Sequence, residues 1–217
     1  MNTDRQNLAQ YYAKRAQTYE QVYAKPERQE DLAILRERVA EVARDHKILE
    51  IACGTGYWTA QLAPVAASVL ATDLNPEVIT IAQTKDLPAN KVNFAIADAF
   101  DLPAGDSFTA CFAGFWWSHV KRQEQEEYLK QLSARLGKDT LLVLLDNCYV
   151  EGSSTSIART DADGNTFQIR NLPDGSRIEV IKNFPADSFL RKKLAASVKD
   201  IRIRRLEHYW MLTGRLK

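Results

Sequence analysis

Gly54 and Gly56 stand one residue apart, directly after the apolar run Ile48-Leu-Glu-Ile51 and ahead of a helix-forming stretch. No other feature narrows the possible fold as much. Ile48, Leu49 and Ile51 read as a strand buried on both faces, the mark of a parallel sheet. Glycine in the Cys53-Gly-Thr-Gly56 turn allows positive φ and lets a ligand approach the backbone closely. A helix leaving such a turn aims unpaired amide N–H groups over it. Asp73 closes the next apolar run, where a nucleoside places its ribose hydroxyls in sheets of this kind. The turn also reads as an ordinary strand-to-helix connection, and Asp73, just ahead of Asn75-Pro76, is also placed to cap a helix.

A dinucleotide fingerprint needs a third glycine, G-x-G-x-x-G, beside the pyrophosphate. Thr59 stands at that position, preceded by bulky Tyr57 and Trp58, which weakens a nicotinamide-dependent oxidoreductase reading. The string resembles instead the first motif of class I S-adenosylmethionine-dependent methyltransferases, an acid followed by Gly-x-Gly-x-Gly. Glu50, Gly54 and Gly56 match it, and Ala52 replaces the first glycine. The resemblance continues in order through Val69–Pro76, Asn93–Phe100, Phe108–Phe115 and Leu141–Asp146, similar to the second to fifth strands of that family.

This resemblance implies S-adenosyl-L-methionine as cofactor and S-adenosyl-L-homocysteine as product. It assigns cofactor contacts to Glu50, Ala52, Cys53, Gly54, Gly56 and Trp58 around the turn, with Asp73 on the ribose and Leu74 beside the adenine. Asp98 meets the adenine amine, with Ala99 and Phe100 next to it. Phe115 ends the fourth strand, and Tyr19 reaches the methionine end from an N-terminal helix.

Composition narrows the partner. The chain has 217 residues, 26% of them charged, and a net charge of +1. One domain with a full core is expected, with no global field to attract nucleic acid or an anionic membrane. Cys53, Cys111 and Cys148 are odd in number and widely spaced, as in reduced thiols of a cytosolic protein. With neither a leader pattern nor a membrane-length apolar run, the expectation is a soluble cytoplasmic protein.

The fold class expected is α/β: a Rossmann-like open twisted sheet, mostly parallel with an antiparallel C-terminal strand, helices on both faces, and an inserted β-hairpin lid. Residues 1–25 form an N-terminal lid helix with an aromatic face, 26–149 the cofactor-binding core, 150–183 an inserted loop and hairpin, and 184–217 a C-terminal helix and strand pair. A helix at 27–44 carries the stripe Leu32, Leu35, Val39 and Val42. Polar Glu151–Gly164 reads as a long loop, and Leu172-Pro-Asp-Gly175 as a hairpin turn.

The end of the fourth strand, Phe115-Trp-Trp-Ser-His119, would face the sulfonium. Alternation along a strand lets only one of Trp116 and Trp117 line a pocket. His119 is the candidate general base, since histidine titrates near neutral pH; a core or capping histidine is the plain alternative. Tyr11, Tyr12, Trp116, Trp117, Ser118 and Asn147 are the candidate acceptor contacts. Asp146-Asn147 resembles the magnesium pair of catechol-type methyltransferases, but the third carboxylate is missing, so no metal is expected. The basic set Arg191, Lys192, Lys193, Lys199, Arg202, Arg204 and Arg205 reads as a solvated sheet edge rather than a nucleic-acid surface.

The reading is a methyltransferase acting on N or O of a small, planar or aromatic acceptor, as a monomer or homodimer. The rival is a module that binds the cofactor without transferring its methyl group.

Overall fold

The computed structural model describes residues 3–102, 108–172 and 174–217. Five parallel strands form most of the sheet: β1 (Lys47–Ile51), β2 (Ser68–Asp73), β3 (Val92–Ile96), β4 (Ala110–Gly114) and β5 (Leu141–Asn147). Between them run α3 (Tyr57–Leu62), α4 (Pro76–Ala82) and α5 (Gln125–Leu136), with α1 (Thr3–Arg15) and α2 (Gln29–Ala43) ahead of β1. A separate three-stranded sheet follows: β6 (Arg159–Thr160), β7 (Thr166–Asn171) and β8 (Arg177–Ile181). The chain closes with α6 (Asp187–Leu194), β9 (Val198–Arg205) and β10 (Tyr209–Leu216).

The main sheet runs β3-β2-β1-β4-β5-β10-β9. β10 lies antiparallel to both β5 and β9, so the last strand slots in beside the fifth. Strand order reverses between β1 and β4, and a crevice opens there beyond the strands' carboxyl ends. Alternation along β1 feeds two cores. Ile48 packs with Leu32, Leu35 and Val39 of α2 on one face, and Leu49 and Ile51 pack with Leu129 of α5 and Leu190 of α6 on the other. On α2 Ala43, rather than Val42, completes the buried stripe; Val42 is half-buried.

Two expectations are corrected. The N-terminal helix does not run on to Tyr23: it tightens into a 3-10 helix over Ala16–Tyr23, with the Thr18 hydroxyl donating to the Arg15 carbonyl at 3.4 Å. The expected loop 151–164 contains a strand, because the Asp161 carboxylate gathers the backbone N–H of Asp163 (3.0 Å) and Asn165 (2.8 Å) and folds β6 back onto β7. The hairpin turn ends at Gly175, whose φ is 81°; Pro173 lies outside the described residues. α1 and the hairpin share a small core of Leu8, Tyr11, Leu172, Ile178 and Val180. Along the outer edge, Lys193, Lys199 and Arg205 pair with Glu126, Asp139 and Asp187. Among the described residues no helix is long and apolar enough to cross a membrane.

Candidate active site

The chain leaves β1 through three left-handed residues, Ala52 (φ 54°), Gly54 (φ 55°) and Gly56 (φ 81°). Asp73, at the end of β2, holds this turn: its carboxylate accepts the Gly54 N–H at 2.9 Å and the Asn75 N–H at 2.9 Å. Burial pushes the Asp73 pKa up, and those amides oppose the shift. Asn75, not Asp73, sits at the N-cap of α4. Tyr19 roofs the turn, so closely that a Cβ on Gly54 would lie 3.6 Å from its ring.

A crevice of about 1030 Å³, open mouth included, begins at this turn. Ala52, Gly54, Asp73 and Leu74 line one side, Asp98, Ala99 and Phe100 another, and Phe115, Trp116 and His119 its inner end. Tyr12 and Tyr19 cover it. The Arg5 guanidinium lies 3.4 Å above the Phe100 ring and 2.9 Å from Glu124, while Asp4 pairs with Lys121 at 2.5 Å. These contacts strap α1 across the opening.

Four residues expected around the cofactor stand behind its wall. Cys53 and Gly56 do not line the crevice; Gly56 backs onto α4, where an added Cβ would come within 3.0 Å of the Ala82 Cβ. Trp58 packs beneath Gly114, with 2.9 Å between its ring and the place of a Cβ there. Glu50 is buried and accepts the Thr59 hydroxyl at 2.6 Å. Burial pushes its pKa up to about 8.

Past Tyr12, Tyr19 and Phe115 lies a second cavity of about 1080 Å³, which these residues share with the crevice. Tyr11 and Asn147 line it, together with groups that no motif announced: Arg28, Gln168, Arg170 and Lys182. Arg28 precedes α2, and the other three lie in the hairpin, so only folding brings them to β5.

The Phe115–His119 segment corrects the reasoning about its two tryptophans. β4 ends at Gly114, Phe115 takes φ 61°, and Trp117–His119 form a 3-10 turn, so strand alternation does not apply. Trp116 lines the crevice while Trp117 is sealed in the core. Ser118 is sealed as well: its N–H donates to Asp146 at 2.9 Å and its hydroxyl accepts from Lys182 at 2.7 Å. Asp146 is fully buried and pairs with Lys182 at 2.8 Å. That ion pair holds the Asp146 carboxyl below the usual range.

His119 is held neutral rather than poised near neutral pH. Burial first, then the charge of Lys182, pushes its pKa well below the ordinary imidazole range. Its Nδ1 faces the Ile181 carbonyl at 2.6 Å, which can only accept, so Nδ1 carries the proton. Nε2 then accepts the Tyr12 hydroxyl at 2.9 Å.

Residues 48–139 match the family model described as a methyltransferase domain. The match runs from β1 through α5. An O-methyltransferase of Penicillium expansum is 33% identical over 133 residues, 56% of this chain and 48% of that protein. A malonyl-[acyl-carrier protein] O-methyltransferase of Bacillus cereus is 35% identical over 106 residues, 47% of this chain and 39% of that protein. The chain spans about half the length of the curated relatives it matches. A solved structure described as a DhpI–SAM–HEP complex superposes with a TM-score of 0.80 at 23% identity, covering 99% of both chains. Magnesium protoporphyrin IX methyltransferase of Synechocystis PCC 6803 superposes at 0.66 with 15% identity over 99% of this chain and 100% of that one.

The cofactor of such a methyltransferase domain is S-adenosylmethionine, and the residues present fit it. The crevice starts at a turn without a Cβ at Gly54, beneath the Tyr19 ring. The Asp73 carboxylate accepts the Gly54 amide on one oxygen and the Asn75 amide on the other, and carboxylate oxygens of this kind can also accept a ribose hydroxyl. Leu74, Ala99 and Phe100 give this part of the crevice the apolar lining that suits an adenine.

Proposed function

We propose that the protein is an S-adenosylmethionine-dependent methyltransferase acting on nitrogen or oxygen of a small-molecule acceptor. The observation that carries this reading is the junction of two cavities at Tyr12, Tyr19 and Phe115: the crevice that starts at the glycine turn and Asp73 shares these residues with a second cavity lined by polar groups. Bound S-adenosylmethionine supplies a methyl group activated by a sulfonium, open to in-line attack.

Asp73 and the Ala52–Gly54 turn hold the donor, with Asp98 and Phe100 placed at its adenine end. The side chains at the junction orient the acceptor opposite the methyl group, and the roof formed by α1 excludes water. Holding the two reactants at attack distance supplies much of the acceleration, so a poised base is not required. α1 and the hairpin, joined through their shared core, act together as the lid.

Calorimetric titration with S-adenosylhomocysteine tests the donor site: saturable binding is expected, and none from folded protein would sink the reading. Incubation with methyl-labelled donor and a metabolite extract then separates an enzyme from a module that only binds, because the latter yields no labelled product.

A further inference from the structure

The second cavity carries charge out of proportion to the chain. Arg15, Lys25, Arg28, Arg170 and Lys182 line it, and no aspartate or glutamate does so among the described residues, although the net charge of the protein is +1. Two of these cations are matched: Lys182 by Asp146 at 2.8 Å and Lys25 by Glu27 at 3.8 Å. Among the described residues no carboxylate lies within ion-pair distance of Arg15, Arg28 or Arg170.

Neutral groups take their donors instead. Arg28 donates to Asn147 Oδ1 at 3.1 Å and Ser153 Oγ at 2.9 Å. Arg170 donates to Thr155 Oγ1 at 2.7 Å, and its Nε is buried without a partner. Arg15 donates to the Tyr11 hydroxyl at 2.5 Å. Arg28 is only 7% exposed. Arg28 is a guanidinium taken out of water without a counter-ion, which is costly to keep, while Arg15 and Arg170 are half-buried, and the three come from separate parts of the chain. Arg28 and Arg170 both act on Lys182, and Arg170 also on Tyr12 and His119, so their fields meet where the cavity joins the crevice.

The chamber offers no free base. Lys182 is tied into its ion pair, and among the described residues no carboxylate lines the chamber; His119, on the crevice side of the junction, is neutral with Nε2 engaged by Tyr12. A nucleophile that must lose a proton finds nothing to take it, whereas an oxyanion has none to lose.

We propose that the acceptor is a small oxyanion — a carboxylate, phosphonate or phosphate — held by Arg15, Arg28 and Arg170, and that its own oxygen is methylated. This rests on the methyl-transfer reading above. Guanidinium matches such groups through paired N–H donors. An oxygen lone pair forms the bond to the methyl carbon as the methyl–sulfur bond breaks, and that bonding pair stays on sulfur. The oxyanion loses one negative charge, the sulfonium its positive charge, and no proton moves. The less charged ester then binds the arginines more weakly, which favours its release.

The test is calorimetric titration of protein saturated with S-adenosylhomocysteine, using acetate, benzoate, methylphosphonate and inorganic phosphate, with acetamide and benzamide as neutral matches. At least one oxyanion is expected to bind about tenfold or more tightly than the neutral probes, the planar and tetrahedral arms telling carboxylate from phosphorus acids. Arg170→Met on the hairpin and Arg15→Met on α1 should each weaken that binding by about tenfold and leave S-adenosylhomocysteine binding intact. Failure of S-adenosylhomocysteine itself to bind removes the methyl-transfer reading. If it binds, yet every oxyanion binds no better than the amides or survives both substitutions unweakened, this inference alone is overturned. With methyl-labelled donor and the bound oxyanion, a methyl ester on oxygen is the expected product, base-labile for a carboxylate and base-stable for a phosphorus acid, and a label on nitrogen or carbon also overturns it.

Discussion

The Tyr12 hydroxyl donates to His119 Nε2 across 2.9 Å, while Nδ1 of the same ring donates to the Ile181 carbonyl at 2.6 Å. One neutral imidazole thereby ties α1 to the segment after β4 and to the hairpin, the elements that enclose both cavities. In this arrangement the ring is a strut whose lone pair is already used.

The rate of methyl transfer is therefore expected to show no imidazole limb between about pH 6 and 8. Stability carries the signature instead. The folded ring resists a proton that the unfolded one accepts near its ordinary value of about 6.5, so the unfolded state binds more protons below that pH. Stability should fall as pH drops from about 6.5, and His119→Gln should flatten the dependence in urea midpoints. An acidic limb near neutral pH in kcat, lost in His119→Gln, would restore the base role.

Glu50 shifts stability in the opposite direction. Its pKa is raised to about 8 in the fold, so between the ordinary glutamate range and 8 the folded state holds a proton the unfolded state has lost. That contribution is full below the unfolded value and declines as pH rises, by up to about 1.4 kcal/mol per unit. The advantage of Glu50→Gln over the native chain is expected to grow between pH 5 and 8 in paired denaturation curves.

In the proposed donor site, Asp73→Ala would remove charge-assisted hydrogen bonds to the ribose, and it frees the Gly54 amide. It should weaken S-adenosylhomocysteine binding by about 1.5–3 kcal/mol, read by calorimetry. Unchanged affinity would move the nucleoside out of this crevice.

Ala52 occupies a left-handed conformation with φ 54° that costs an alanine roughly 1–2 kcal/mol. Ala52→Gly relieves that strain and loses part of the gain to the freer unfolded chain, leaving an expected increase of up to about 1 kcal/mol in unfolding free energy. A loss of stability would mean that the Ala52 methyl makes contacts worth more than the strain.

How far these features were legible varies along the chain. Between Ile48 and Asp146 the signals are local: apolar runs, a glycine turn and acids at strand ends sit within a few residues of what they control. The parallel sheet and Asp73 at a strand end could be read from those signals; Leu74, Asp98 and Phe115 came from the methyltransferase resemblance, and all four line the crevice. Glu50 and Trp58 belong to the same motif, but it does not show which way their side chains point, and both turned into the core. The strand at Trp116-Trp117 failed because Phe115 takes a positive φ, a tertiary constraint that no propensity marks.

Local patterning by itself determined a parallel sheet and the glycine turn at the crevice floor, because a buried parallel strand and a glycine turn leave period and spacing in the chain; the order of the strands belongs to the fold. Only the tertiary structure decided the chemistry of the second chamber. Arg15, Arg28, Arg170 and Lys182 come from segments far apart in sequence, and each alone looks like a solvated surface cation. Folding of α1 and the hairpin over β5 buries Arg28 and Lys182, half-buries Arg15 and Arg170, and gives their charges one shared space.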